Sequence, residues 1–383
     1  MTLKRLRSRK SRPFSKQSAS DVFGGVSFLE LKVRLTVMKW LFLILLWLPF
    51  ASHAQGFAGL GSDAEGFSVP NPDHALVFPQ DHGAHEDYRI EWWYLTANLK
   101  AANGTLYGLQ WTLFRSALHL GEGEAWHSPQ LWMGHAAVTA PGQHYVSERL
   151  GRGGIEQAGV KVDEQFDAWI DDWHLRGSNN MDELVMRAVG NDFTYDMDLS
   201  ARGPLVLQGN AGYSVKSAAG QASYYYSQPF YDITGTLSLP EGDIAVTGHA
   251  WLDREWSSQP LASDQTGWDW FSLSFENGAR MMGFVLRSDT EAPYTSATWI
   301  APDGTPTPLP NGAFTARAVE QTDVKGRSIP TTWALSLPQH GLDVTVRALN
   351  TQAWMATSVP YWEGPISIEG SHSGVGYLEM TGY

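Results

Sequence analysis

The sequence predicts an all-β protein made of two antiparallel β-barrels packed together. Three observations carry that expectation. Aromatic residues are 12% of the chain, with 17 Trp, and Gly reaches 38, a mix that favours strands and tight turns over helix bundles. Short strand-like runs are separated by turn signals at regular spacing. One outline occurs twice: an aromatic strand, an Asn-Gly turn, and a second strand that ends in Arg. A length of 383 residues suits two domains of ordinary size.

In chain order, residues 55–75 are rich in Gly, Ser and Asp and read as a linker. Phe78-Pro79-Gln80-Asp81-His82-Gly83-Ala84-His85 has no periodicity and reads as an ordered loop. Residues 88–99 (YRIEWWYLTANL) read as a strand, Asn103-Gly104 as a hairpin turn, and 106–118 (LYGLQWTLFRSAL) as the partner. Further strands are expected at 132–140, 166–175, 184–189, 193–199 and 204–208, and the run Tyr224-Tyr225-Tyr226 with 232–239 completes a first domain over 76–240.

A second domain, 241–383, repeats the outline. Residues 270–275, then Asn277-Gly278, then 280–287 match the first hairpin; one version ends at Arg115 and the other at Arg287. The halves also close alike, SYYYSQPFYDITGT running through Pro229 and YWEGPISIEGS through Pro365. Two matches in the same order indicate a duplicated β unit. A Pro-rich turn at 306–310 and strands at 314–320, 332–337 and 342–348 fill the remainder. Short helices are conceivable at 256–266 or 350–356, and no longer helical stripe is present. Many short antiparallel strands in two such sets fit barrels of the lipocalin type, wide enough to enclose one small apolar ligand.

Residues 1–37 hold nine Lys or Arg against two acids, and Met38-Lys39 leads into an apolar run from Trp40 to Phe50 and then Ala51-Ser52-His53-Ala54. A charged segment, a short apolar segment and a small-residue cleavage site form a secretory signal. The apolar run is too short for a membrane span. Residues 1–54 are therefore expected to be a basic leader plus signal peptide, cleaved after Ala54, with Met38 an alternative start; the product is periplasmic or secreted. Residues 1–54 carry ten Lys or Arg and two acids, so their loss takes the net charge from −13 to −21. So acidic a chain argues against nucleic acid and anionic membranes as partners. There is no cysteine, which removes disulfides, zinc–thiolate sites and thiol nucleophiles.

The stretch 248–275 (GHAWLDREWSSQPLASDQTGWDWFSLSF) is where chemistry is expected. Side chains alternate along a strand. His249, Trp251, Asp253 and Glu255 therefore share one face, which carries an imidazole, an indole and two carboxylates. Beyond the loop, Asp269 lies between Trp268 and Trp270. The pattern supports three readings: a reaction site, a ligand site, and a structural interface in which buried polar groups satisfy one another.

At these residues the chain resembles a known family. FPQDHGAHEDYRIEWWYLTANL, YGLQWTLFRSAL, GHAAVTAPG, PLVLQG, GYSVKS, SYYYSQP, TGHAWLDREWSS and DQTGWDWFSL are similar to the AttH family of exported, two-domain lipocalin-like proteins. That family is related to the carotenoid 1,2-hydratases, also called hydroxyneurosporene synthases. The similarity spans roughly residues 70–383. It implies two calycin-type barrels, lyase chemistry through the distant hydratases, and for some members an association with exporter permease components. Only His249 and Trp251 carry over from the hydratase pattern.

Adding water to an isolated C=C requires a strong proton donor, a placed water and surroundings that tolerate a carbocation. A carboxylic acid kept protonated by an apolar pocket can donate, and indole faces stabilise a cation. His249, Trp251, Asp253, Glu255 and Asp269 are the candidate catalytic set. Trp268 and Trp270, with His82, Glu91, Trp92, Trp93, Trp111 and His135 from the first domain, are the candidate ligand-binding set. The same residues could instead bind an apolar small molecule, a lipid or isoprenoid, with no proton transfer. Arg254 could neutralise a neighbouring acid, and Glu91 is expected to pair with Arg89 or Arg115.

Asp81, His82, His85, Glu91 and His135 match no metal-binding HExxH helix, and neither a metal nor a cofactor is expected. A serine hydrolase lacks its elbow, since Gly370-Ser371-His372-Ser373-Gly374 has His at the centre. Gly151-Arg152-Gly153-Gly154 is a turn, not a phosphate cradle.

Overall fold

The computed structural model describes residues 64–383, apart from 122, 124, 260 and 263. The leader, the cleavage site and the start of the linker lie outside the described residues. The linker's end is tied down: the Asn71 backbone N–H donates to the Tyr224 hydroxyl at 2.7 Å.

The described chain is all-β, with short 3-10 turns and no α-helix. The first sheet contains β1 (Ile90–Ala101), β2 (Leu106–Ala117), β3 (Gln130–Thr139), β4 (His144–Arg152), β5 (Ala158–Val162), β6 (Phe166–Ile170), β7 (Trp173–Gly177), β8 (Glu183–Val189), β9 (Thr194–Ala201), β10 (Val206–Leu207), β11 (Tyr213–Val215), β12 (Ala222–Leu239) and β13 (Gly242–Ser257). The second contains β14 (Gln265–Phe275), β15 (Arg280–Ser288), β16 (Tyr294–Ile300), β17 (Pro306–Leu309), β18 (Thr315–Val324), β19 (Arg327–Leu337), β20 (Leu342–Ala348), β21 (Trp354–Met355), β22 (Tyr361–Gly370) and β23 (Gly374–Met380). The strand pairings are antiparallel in both sheets, and each sheet curls into a near-barrel.

The two sheets share one topology. Four consecutive hairpin strands, β1 to β4 or β14 to β17, start each sheet. The first strand of each set then pairs with the last strand of its sheet, β1 with β13 and β14 with β23. The repeat seen in the sequence therefore has a counterpart in strand order. Its turns match too: Gly104 (φ 88) and Gly278 (φ 90) both adopt the left-handed backbone that suits glycine after Asn.

Several expectations need correction. β13 belongs to the first sheet, so the chain changes sheets between Ser257 and Gln265, not at 240–241. Among the described residues, neither 256–266 nor 350–356 contains a helix; 256–257 and 265–266 are strand, and 354–355 form β21. The run 166–175 is two strands, broken at Asp171 with φ 52. Residues 306–309, read as a Pro-rich turn, form the edge strand β17, where missing N–H groups are tolerated.

Alternation sorts the side chains into three layers. Odd positions of β1 and β2, including Trp93, Leu95, Trp111 and Leu113, fill the first barrel. Phe271, Leu273, Phe275, Trp333 and Trp362 help to fill the second. Between the barrels lies a third cluster containing Ile90, Tyr94, Tyr225, Trp251, Trp268, Trp270, Phe284 and Leu286. Burial of these large rings, at about 25 cal/mol per Å², is what joins the barrels. Each barrel interior is lined by its own buried apolar side chains.

Candidate functional site between the barrels

A cavity of about 50 Å³ opens in the interface cluster, room for several waters or part of a small molecule. Its apolar walls include Ile90, Trp92, Trp268, Trp270, Phe284 and Leu286, and its ionisable lining includes Asp253, Glu255, Lys216 and Glu379.

Asp253 is 2% exposed. Trp251, two positions back on the same face of β13, donates its indole N–H to Asp253 Oδ1 at 2.6 Å. Ser227 donates to the same oxygen at 2.5 Å, and Tyr225 to Oδ2 at 2.6 Å. Burial nevertheless dominates, and pushes the carboxyl up to about 7 against these three donors. An indole can only donate, so Oδ1 stays an acceptor. The acid proton therefore sits on Oδ2, where the Tyr225 hydroxyl can turn to accept it.

Glu255, next on that face, has a different environment. Lys216 Nζ lies 2.8 Å from its Oε1, and Ser223 donates to the same oxygen. The Lys216 ammonium also lies 4.1 Å from the centre of the Phe284 ring, a cation–π contact. Two carboxyls two residues apart thus have separate environments, one raised by burial and one ion-paired.

From the second barrel, Glu379 of β23 accepts the Trp268 indole N–H at 2.7 Å. Burial raises its carboxyl to about 7. Glu363 stands directly opposite Glu379 in the β22–β23 ladder. It accepts the Tyr94 hydroxyl at 2.5 Å, and burial followed by the Glu379 charge holds it well above the usual carboxylate range.

The AttH-like family model matches residues 69–383. The chain belongs to the AttH-like family. A crystal structure of an AttH-type protein from Nitrosomonas europaea is similar over 83% of this chain and 99% of that one, with 30% identity and a TM-score of 0.74. Kievitone hydratase from Nectria haematococca shares the fold at 14% identity, covering 82% and 98% of the two chains with a TM-score of 0.62. CghA does so at 12% identity, covering 83% and 96%, with a TM-score of 0.50. No curated protein matches the chain.

In this AttH-like chain the structure brings together Trp251, Asp253, Glu255, Trp268 and Trp270, with Trp92 and Glu91 at the cavity from the first strand. It does not gather the other candidates. His249 shares the face of Asp253 but lies beyond the covered part of the strand; its side chain is 60% exposed and sits 3.3 Å from Asp232. Asp269 alternates away from Trp268 and Trp270, and binds Arg287 and the Tyr383 hydroxyl (2.9 Å) instead. Trp93 and Trp111 point into the first barrel. His82 is buried beside Tyr226, its Nδ1 2.6 Å from that hydroxyl, and burial, then the nearby Arg254 charge, lowers it to about 4. His135 lies elsewhere on the interface, 3.0 Å from the Tyr361 hydroxyl and 3.2 Å from Glu148.

Glu91 reaches the cavity rim but is spoken for. Burial alone would raise its carboxyl; the Arg115 and Arg254 guanidinium groups overcome that and hold it well below the usual range. Arg254 thus neutralises Glu91 and leaves Asp253 unpaired, which preserves Asp253 as an acid. His85 lies between Asp81 and Glu91, 3.2 Å from each. Among the described residues no group of three His, Asp or Glu is placed to hold a metal ion.

Lys216, Phe284 and Glu379, which line the cavity, and Tyr225, which donates to Asp253, were not singled out in the sequence. Two of them left a trace. Tyr225 is the middle of a Tyr triplet, so alternation turns it away from its neighbours. Glu379 is the one acid in the apolar run GVGYLEM of β23. Lys216 arrives from a loop, and nothing local marks it.

Proposed function

We propose that the interface cavity binds an apolar small molecule of lipid or isoprenoid type and adds water across its double bond. Asp253 is the acid. Its Oδ2 proton passes to one carbon of the C=C, the neighbouring carbon becomes cationic beside the Trp268 and Trp270 rings, and a water oxygen bonds to it. The observation that carries this reading is a carboxyl that burial raises to about 7, set against indole walls and hydrogen-bonded to Trp251, Tyr225 and Ser227 with no ion-pair partner among the described residues. The hydratase among the structural neighbours supports it as a likeness of fold.

Citronellol, which carries a trisubstituted double bond, is a suitable probe. Purified protein in water labelled with heavy oxygen should give the labelled tertiary alcohol by mass spectrometry, and Asp253→Asn should not. The reading falls if citronellol fails to alter the tryptophan fluorescence of wild-type protein.

Binding without turnover is the second reading, favoured by the mostly aromatic and aliphatic walls. It predicts the same fluorescence change, no labelled product, and an Asp253→Asn variant indistinguishable from wild type. Under either reading we propose an exported protein whose leader ends at Ala54, serving an exporter permease as carrier of the bound molecule. Cell fractionation with sequencing of the mature N-terminus tests the export. Among the described residues no helix is long and apolar enough to cross a membrane.

A further inference from the structure

We infer that Glu379 is the base that receives a proton from the adding water, facing Asp253 across the cavity; this rests on the hydration reading above. The two carboxyls line one cavity but come from different barrels, Asp253 from β13 and Glu379 from β23. The Asp253 charge helps to raise Glu379. A guest between the barrels would therefore have an acid on one side and a second carboxyl on the other.

The neighbour of Glu379 decides which protonation state it offers. Glu363 and Glu379 are direct partners in the β22–β23 ladder, both buried, and among the described residues neither forms an ion pair with a Lys, Arg or His. Two adjacent carboxyls in such a place do not both ionise. Glu363 is outside the cavity lining and is held well above the usual range, so it keeps the shared proton. Glu379 is the member of the pair that titrates, at about 7, and above that it is a carboxylate that the Trp268 N–H on Oε1 stabilises and orients.

The proton count closes. Asp253 gives its proton to carbon, and a C–H bond forms as the π bond breaks. Water oxygen supplies the pair for the new C–O bond, and one water proton moves to Glu379. The product is the alcohol, with Asp253 ionised and Glu379 protonated. Transfer of that proton through cavity water restores both groups.

The test uses a cation as a stand-in for the carbocation. Dimethyloctylamine, positively charged near neutrality, and octanol are titrated into the mature protein while tryptophan fluorescence is followed across a pH series. Wild type should prefer the amine by roughly tenfold once Glu379 is ionised. The preference should set in with rising pH, vanish in Glu379→Gln, persist in Glu363→Gln, where one neutral partner replaces another, and set in at lower pH in Asp253→Asn, where the Asp253 charge no longer raises Glu379. Asp253→Asn should keep most of it. Octanol affinity should stay within about threefold in all three variants, which reports an intact cavity. An unchanged amine preference in Glu379→Gln, with octanol still bound, overturns the assignment of Glu379 alone. Failure of octanol to bind any of the proteins removes the cavity reading and the base with it.

Discussion

Tyr225 and Asp253 share a 2.6 Å hydrogen bond across the first barrel's outer face. They are not register partners; Tyr225 pairs with Glu255 and Asp253 with Ser227, so the tyrosine reaches diagonally. A phenol can donate or accept. It therefore satisfies Asp253 both before and after proton loss, and the acid can discharge without leaving a buried group unpaired.

Replacing Asp253 by Asn keeps size and removes the transferable proton. Turnover of a hydratable probe should fall by about 10²–10⁴, the usual worth of a positioned acid. Affinity for octanol should change by less than about threefold, because Trp268, Trp270 and Phe284 remain in place. Product analysis and fluorescence titration read the two effects separately.

The raised acids also set how stability depends on pH. Asp253 moves from an ordinary value of 3.8 up to about 7 on folding. The folded state thus holds a proton that the unfolded chain has lost, and stability falls as pH rises between those values. The contribution is full below the unfolded value and gone above the folded one. Glu379 acts in the same direction. Glu91 acts oppositely: its contribution is present above its ordinary value and is lost as pH falls through a much lower folded one. Calorimetry across the series should show the melting temperature declining from about pH 5 to pH 7.5, with a shallower decline in Asp253→Asn.

His249 marks the boundary of what alternation can tell. The pattern GHAWLDREW correctly places His249, Trp251, Asp253 and Glu255 on one face. It cannot say how far along the strand the second barrel covers that face, and cover stops before His249. His249→Ala should leave stability within about 0.5 kcal/mol and turnover unchanged, as followed by denaturant melts and product analysis.

The fold was legible for the same local reasons. Asn103-Gly104 and Asn277-Gly278 declare their hairpins, and the Trp-rich runs declare strands. The site was legible only where one segment supplies several of its parts, as 251–255 and 268–270 do. Lys216, Phe284 and Glu379 come from three other segments, and only the docking of two barrels brings them together. Asp269 misled because an acid between two indoles looks joined to them, whereas a strand puts it on the opposite face. Its raised carboxyl, due first to burial, belongs to the Arg287 and Tyr383 contact.

Gly108 shows how closely the barrels approach. A Cβ added there would meet Pro365 ring carbons at 2.5 Å and the Tyr377 hydroxyl at 2.8 Å. Both neighbours belong to the second barrel, on β22 and β23. Gly108→Val should therefore push the barrels apart at the cavity's flank, costing about 1–3 kcal/mol in the way overpacking does. Tryptophan emission should shift to the red as the interface wets, and octanol affinity should drop. A variant with unshifted emission and wild-type stability would show that β2 and β22 can part at Gly108 without cost.

Glu91 ties the loop that precedes β1 to two strands beside it. Its carboxylate meets Arg115 of β2 and Arg254 of β13, and also accepts the His85 backbone N–H at 2.8 Å. All three ionic side chains are fully buried. Arg254 in turn lies 3.8 Å over the Trp93 ring. Glu91→Gln keeps the shape and removes the charge, leaving two guanidinium groups buried with no carboxylate between them. Removing one partner from a buried ionic group costs about 3–5 kcal/mol, far more than the exposed Arg202–Asp232 pair should contribute. Chemical denaturation should place Glu91→Gln well below wild type and Asp232→Asn within error of it. Equal stabilities for Glu91→Gln and wild type would mean that the Arg115 and Arg254 charges are solvated by water entering from the cavity, in which case Glu91 would be part of the wet site and not of the frame that holds it.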